Sequence, residues 1–139
     1  MIVLDTNVLS EVLRNAADPA VMRWLAAQAP GSLHTTAVTR AEMLYGARQL
    51  PAGKRQQRLL ASVAAMFDED FGERVLPFDS DATDAYARIA AERKQAGKPI
   101  SQFDAQIAAI TLANGGELAT RNAGDFKGCG IEVINPWQA

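Results

Sequence analysis

Met1-Ile2-Val3-Leu4-Asp5-Thr6-Asn7 opens the chain, and the reading of those seven residues decides the fold. Ile2-Val3-Leu4 is a short, continuous apolar run, the pattern of a strand buried on both faces, and Asp5 follows at its carboxyl end. Thr6 and Asn7 are residues that start helices, and Val8, Leu9, Val12 and Leu13 then recur at helical spacing. The unit is strand, acidic corner, helix, and in an open α/β sheet that corner is where ligands bind. For this tripeptide alone, a helix cap is the simpler explanation. The other acids of the chain give Asp5 a second meaning.

Outward from that unit, strands and helices alternate. Asp18-Pro19 opens a second helix carrying Val21, Trp24 and Leu25, which Pro30-Gly31 stops. Ser32 to Thr35 predicts a weak strand and Val38 to Ala47 a helix, broken by Pro51-Ala52-Gly53. From Lys54 to Phe71, Leu59, Leu60, Val63, Met66 and Phe67 repeat at helical period, and Gly72 ends the amphipathic helix. Arg74 to Phe78 predicts a strand near an edge, because Pro77 cannot donate to a ladder. Asp79 or Ser80 then caps a helix reaching Gln95, and Ser101 caps another in which Phe103, Ile107 and Ile110 form one apolar stripe. Glu117 to Thr120 and Ile131 to Ile134 predict the last strands, with a polar loop and one helical turn between them. This alternation predicts a parallel sheet covered on both faces, a three-layer α/β/α sandwich, as a single domain over residues 1–139.

Composition narrows the chemistry. With 48% hydrophobic and 22% charged residues the chain is of ordinary globular type. Its net charge of −2 argues against holding nucleic acid through bulk positive charge. One cysteine, Cys129, excludes an internal disulfide and any multi-cysteine metal site, and it suits a reducing cytoplasm. One histidine, His34, excludes zinc sites built from several imidazoles. No signal segment or membrane span is expected.

Four acids and one amide stand out: Asp5 at a strand end, Glu42 and Asp104 in the early turns of two helices, and Asn122 with Asp125 after a late strand. Singly, each has an ordinary use as a cap, a turn residue or a partner for a helix dipole. Asp104, however, lies beside the buried stripe of its helix, where a carboxylate is costly unless paired or bound to a cation. No cluster of basic residues matches it. Converging carboxylates instead suit Mg²⁺ or Mn²⁺, hard cations that prefer oxygen and can activate water against a phosphodiester.

Taken in order, Leu4-Asp5-Thr6-Asn7, Arg40-Ala41-Glu42 with Gly46, Phe103-Asp104-Ala105-Gln106-Ile107-Ala108-Ala109 and Ala119-Thr120-Arg121-Asn122-Ala123-Gly124-Asp125-Phe126 resemble the motifs of the PIN-domain family. The resemblance is nearest to its VapC-type toxins, including FitB-like members, which also end in Asn-Pro-Trp as Asn135-Pro136-Trp137 does here. It implies a five-stranded parallel sheet in order 3-2-1-4-5, with strands 1 and 4 at the switch point. It further implies a Mg²⁺-dependent endoribonuclease, with Mn²⁺ as a substitute ion, acting as the toxin of a toxin–antitoxin pair. By motif position Asp5, Glu42 and Asp104 would be metal-site acids, Asp125 the fourth catalytic acid, and Asn122 a neutral polar neighbour. Thr6 and Thr120 would orient water or carboxylates. Among Arg14, Arg40, Arg48, Lys98 and Arg121, the candidates for touching RNA phosphates, Arg121 is favoured because it adjoins a motif.

The implied partners are a cognate antitoxin, the RNA substrate, a second copy of the chain in a homodimer, and promoter DNA only indirectly through the antitoxin. A groove beside the early helices, where Trp24, Leu25, Met43 and Leu44 would leave apolar surface, is the expected antitoxin site. Two other classes are weighed against this. A phosphatase of the haloacid-dehalogenase type also begins strand-Asp, but it typically has Asp two residues after its nucleophile, where Asn7 stands, and a late Asp-Asp pair that is missing here. A non-enzymatic regulator that only shapes a DNA-binding partner's complex would cleave no RNA.

Overall fold

β1 (Ile2–Leu4) is the middle strand of a five-stranded sheet in the computed structural model, which describes all residues from Met1 to Ala139. It pairs in parallel with β2 (Leu33–Thr36) on one side and β4 (Glu117–Ala119) on the other, so Val3 stands level with His34 and Leu118. β3 (Val75–Leu76) and β5 (Val133–Ile134) are the edges, giving the order β3-β2-β1-β4-β5. All pairings are parallel, as a chain of alternating strands and helices requires. The winding reverses between β1 and β4, which opens a crevice at their carboxyl ends. Asp5 and Thr120 are the residues that leave those two strands.

Six helices cover the sheet: α1 (Thr6–Val12), α2 (Pro19–Ala26), α3 (Ala37–Arg48), α4 (Lys54–Ala65), α5 (Ser80–Gln95) and α6 (Gln102–Ala113). Successive β1 residues feed opposite layers, as a period of two dictates: Val3 joins one apolar cluster and Leu4 the other. The first cluster packs Ala82, Ala85 and Ile89 of α5 with Ile107 to Ile110 of α6, and the alanines among them let the two helices approach closely. Val8, Leu9, Val21, Val63 and Phe67 fill the second. Side chains of Asp5, Asp18, Thr36, Asp79 and Ser101 cap five of the helices, each cap contributing about 1 kcal/mol.

The three-layer architecture and the strand order agree with expectation, while several boundaries differ. The strand expected over Arg74–Phe78 shrinks to two residues, because Pro77 offers no N–H to continue the edge, and that over Ile131–Ile134 also keeps only its last two. α3 starts at Ala37 rather than Val38, since Thr36 leaves β2 and caps it without a spacer. The helix expected to run to Phe71 keeps α geometry only to Ala65 and widens into a π turn, Met66–Phe71. The wider turn lets adjacent Met66 and Phe67 both enter the core while Asp68, Glu69 and Asp70 stay in solvent.

Phe103 does not share the buried stripe of α6. It lies in the helix's first turn with 48% of its surface exposed. The apolar surface expected at Trp24, Leu25, Met43 and Leu44 is largely covered too: Met43 is buried, and the others pack half-buried against the second cluster. No helix is long and apolar enough to cross a membrane.

Candidate active site

Asp5 is only 4% exposed, and its carboxylate binds both elements that frame the crevice. Oδ1 accepts the Thr6 backbone N–H at 2.8 Å, and Oδ2 accepts the Thr120 hydroxyl at 2.7 Å. The capping role and the acidic role therefore coexist in one side chain. Asn7 ties the same corner together: Nδ2 donates to Thr120 Oγ1 at 3.2 Å, and Oδ1 accepts the Arg121 backbone N–H at 3.1 Å. Thr120 Oγ1 also accepts the Asn122 N–H at 3.1 Å, so the segment after β4 is fastened to the start of α1.

Glu42 projects from the second turn of α3, where Thr6 Oγ1 donates to its Oε1 at 2.8 Å and fixes the carboxylate. Asp104 sits in the first turn of α6; its backbone N–H donates to Ser101 Oγ at 3.2 Å, which holds the Ser101 hydroxyl near its carboxylate. Asp5, Glu42 and Asp104 line one open cavity of about 540 Å³, together with Thr6, Arg121 and Asn122. Thr120 lies just behind them, fully buried.

The three acids are held above their ordinary pKa values, and burial is the largest cause for each. For Asp5 the hydrogen bonds from Thr120 and Thr6 pull the other way, and the charges of Asp104 and Asp125 add to the rise. Glu42 is lowered by Thr6 and raised by Asp5 and Asp104. Asp104 is lowered by Ser101, raised by Asp125, and lowered again by the nearby Arg93. No salt bridge neutralises any of them; the two ion pairs in the structure are Arg14–Glu11 and Arg40–Asp68. Such a cluster concentrates negative charge that a cation would relieve.

Asp125 stands apart. It lies exposed on a 3₁₀ turn, Ala123–Phe126, and does not line the cavity, whereas Asn122 does. Its charge is still close enough to raise Asp5 and Asp104. The turn is anchored by Arg93 of α5: Nη1 donates to the carbonyls of Asp125 at 2.8 Å and Lys127 at 3.1 Å, while Nε donates to Lys98 O at 2.8 Å. One guanidinium thus joins the loop before α6 to the loop after β4. Cys129, buried beneath it, lies 3.4 Å from Nη1. Replacing Arg93 by Met is expected to loosen both loops and raise the labelling rate of Cys129 by a thiol reagent at least several-fold. A rate equal to the unaltered protein's would show that Arg93 is not the anchor.

Of the five cations that the sequence offers for phosphate contact, the structure brings two, Arg14 and Arg121, to the cavity. Arg40 is instead paired with Asp68 at 2.9 Å and lies over the Phe67 ring. Ser10 and Glu11, which the sequence reading does not single out, join Asn7 and Arg14 in a polar stripe along α1 and the residues just after it. Asn7, Ser10, Glu11 and Arg14 fall at helical spacing and all line the cavity, opposite the apolar stripe of Val8, Leu9 and Val12. The signal was present as the complement of the hydrophobic pattern. Glu11 is 4% exposed, accepts Arg14 Nη1 with both oxygens at 3.1 and 2.9 Å, and accepts the Asp18 N–H at 3.3 Å. A second, larger groove adjoins the first between α1, α3 and α4, and Thr6, Ser10, Arg14 and Glu42 form a wall common to both. His34 lines neither; its Nδ1 lies 3.0 Å from Ser32 O.

Comparison with known proteins extends this picture. The chain is 43% identical over 142 aligned residues to the VapC ribonuclease Y4jK of Sinorhizobium fredii, with 99% of each chain covered. It is 36% identical to toxin FitB of Neisseria gonorrhoeae, again over 99% of each. A solved structure of FitAB bound to an IR36 DNA fragment superposes with a TM-score of 0.91 at 36% identity, covering 99% of this chain and 96% of that one. The PIN domain family matches residues 2–128, a span that takes in every acid described above. By that match, and by relatives that align with it almost from end to end, this chain belongs to the PIN-domain family.

Proposed function

We propose that this protein is a Mg²⁺-dependent endoribonuclease, the toxin of a VapBC-type pair, able to use Mn²⁺ in place of Mg²⁺. The observation that carries the reading is the convergence of three buried or half-buried carboxylates on one open cavity with no basic residue paired to them. The ribonuclease and toxin names of relatives 43% and 36% identical support it.

The donor set fits a hard divalent cation. Every candidate ligand is an oxygen, and His34 and Cys129 both lie away from the cavity. No three His, Cys, Asp or Glu side chains stand close enough together to hold an ion as they are, so an ion here would be bound partly through waters that it keeps. Asp5, Glu42 and Asp104 would hold it, and when bound it would polarise the phosphodiester and lower the pKa of the attacking water. The chain's own part is orientation. Thr120 and Thr6 hold Asp5 and Glu42 by their hydroxyls, as outer partners orient metal-binding side chains. Asn7 keeps the Arg121–Asn122 segment against the mouth of the cavity.

Asp125 is proposed as the fourth acid, acting through its charge, with Asn122 as a neutral neighbour touching water or substrate. Asn122→Ala is expected to slow cleavage moderately, and Asp125→Ala to weaken Mg²⁺ binding more, because only a carboxylate offsets ionic charge. Equal Mg²⁺ titrations of the unaltered protein and Asp125→Ala would sink that assignment.

A cognate antitoxin, a homodimeric arrangement, contact with promoter DNA only through the antitoxin and residence in the cytoplasm complete the proposal. The decisive experiment incubates the purified protein with total cellular RNA and Mg²⁺ and maps new 5′ ends. Discrete ends that vanish on chelation support the reading. Intact RNA alongside hydrolysis of simple phosphate esters would transfer the protein to the phosphatase class, and inertness toward both would leave a regulator.

A further inference from the structure

The floor of the cavity is acidic, yet a phosphodiester chain must approach it, so the rim has to supply positive charge. Only two cations line the cavity, Arg14 and Arg121. They come from different elements, one from just beyond α1 and the other from the turn after β4. Each is held by a specific device. Arg14 is gripped through Nη1 alone by the buried Glu11, which leaves Nη2 and Nε without protein partners on a side chain 63% exposed. Arg121 forms no salt bridge, and its guanidinium lies 5.0 Å from the centre of the Trp137 ring, while its backbone N–H is fixed by Asn7. A guanidinium oriented by a carboxylate or an aromatic face, with an open edge toward solvent, is suited to bidentate contact with phosphate.

We propose that Arg14 and Arg121 form a two-point clamp that binds backbone phosphates of single-stranded RNA on either side of the one facing Asp5, Glu42 and Asp104. Glu11 and Trp137 are positioning residues: they touch no substrate and set where the two guanidiniums stand. The clamp rests on the ribonuclease reading above and assigns its substrate-holding groups. Lys98, Arg40 and Arg48 do not line the cavity and take no part.

The test uses a fluorescein-labelled, mixed-sequence single-stranded RNA 12-mer, with affinity followed by anisotropy across a salt series. All proteins carry Asp104→Asn so that the RNA stays intact. Each phosphate contact contributes about 0.7 to the slope of log K against log salt for single strands. Arg121→Ala is expected to lower the slope by about that amount. Because Arg14→Ala would strand the buried Glu11 charge and risk the fold, the informative variant is the pair Glu11→Gln with Arg14→Gln, which keeps net charge unchanged. The clamp predicts the same loss of about 0.7 for the pair, and about 1.4 when it is combined with Arg121→Ala. Arg48→Ala, an exposed arginine off the cavity, serves as control and should leave the slope unchanged. If RNA binds but the slope does not move in the pair variant or in Arg121→Ala, the clamp is overturned and the ribonuclease reading survives. If the Asp104-intact protein neither binds nor cuts RNA, the reading beneath it fails as well.

Discussion

Asp104→Asn is expected to reduce RNA cleavage by about three orders of magnitude, the scale on which losing one group that stabilises transition-state charge is felt. The metal-free protein should melt at the same temperature or higher. Two effects on stability oppose each other. A carboxylate in the first turn of a helix favourably meets the helix dipole, worth about 0.3–1 kcal/mol at an exposed position. Against it stand the burial of Asp104 and the repulsion from Asp125 that raise its pKa, and Asn keeps the backbone N–H bond to Ser101 Oγ while removing both penalties. Asp104 makes a cleaner test than Asp5, whose carboxylate also caps α1 and receives the Thr120 hydroxyl, so that its loss would disturb the fold. Activity and melting temperature measured on one preparation decide the matter. Lost activity with lost folding would make Asp104 a structural residue.

Metal removal should have the second large effect. Chelation is expected to abolish cleavage, and Mg²⁺ at a hundredfold excess over its Kd should stabilise the folded chain by about 2.7 kcal/mol, several degrees in melting temperature. That gain should depend on pH in a direction unusual for carboxylates. Asp5, Glu42 and Asp104 have folded-state pKa values raised above 3.8, 4.5 and 3.8 respectively. In the interval between those ordinary values and the raised ones, the folded chain binds more protons than the unfolded chain. This cluster's contribution to metal-free stability therefore falls as pH rises through the raised values, and it is most favourable below the ordinary ones. Mg²⁺ competes with those protons, so its stabilising effect should shrink on acidification. Cleavage should likewise fall off in acid as these carboxylates take up protons. Melting curves with and without Mg²⁺ from about pH 4, near the ordinary carboxylate values, to about pH 8 check the sign. A Mg²⁺ shift of constant size across that range would mean that the ion binds elsewhere.

The main lines of this structure were written in short local signals. An apolar tripeptide ended by Asp5 could be read as a buried strand, and the caps Asp18, Asp79 and Ser101 marked helix starts within a residue. Two features were harder. The π turn at Met66–Phe71 satisfies a tertiary demand, two adjacent large side chains entering the same core, that helical periodicity alone does not express. The exposed position of Phe103 is equally invisible to pattern, since its spacing from Ile107 is that of a buried stripe and only its place in the first turn separates them.

The site divides in the same way. Asp5, Glu42 and Asp104 were legible as acids at element ends, and the fold brings them to one cavity. Asp125 was legible as an acid but its distance from the cavity was not, because that depends on how Arg93 pins the turn from a helix far away in sequence. Glu11 went unread because an acid three residues before an arginine on a helix is ordinarily a surface pair. Its burial follows from the loop to Asp18 folding over it.

The wall made by Thr6, Ser10, Arg14 and Glu42 has a consequence for how this protein can change over generations. Whatever molecule comes to occupy the larger groove rests against atoms that also shape the acidic cavity. A lineage under pressure to escape such an occupant has few neutral steps there: altering Glu42 removes a member of the acid set, and altering Thr6 frees the carboxylate it holds. Resistance would have to arise on the far side of the groove, around Arg55, Arg58 and Leu59, where no residue faces the acids. Variation among descendants should therefore be lopsided across the groove, with drift along α4 and near-constancy along α1.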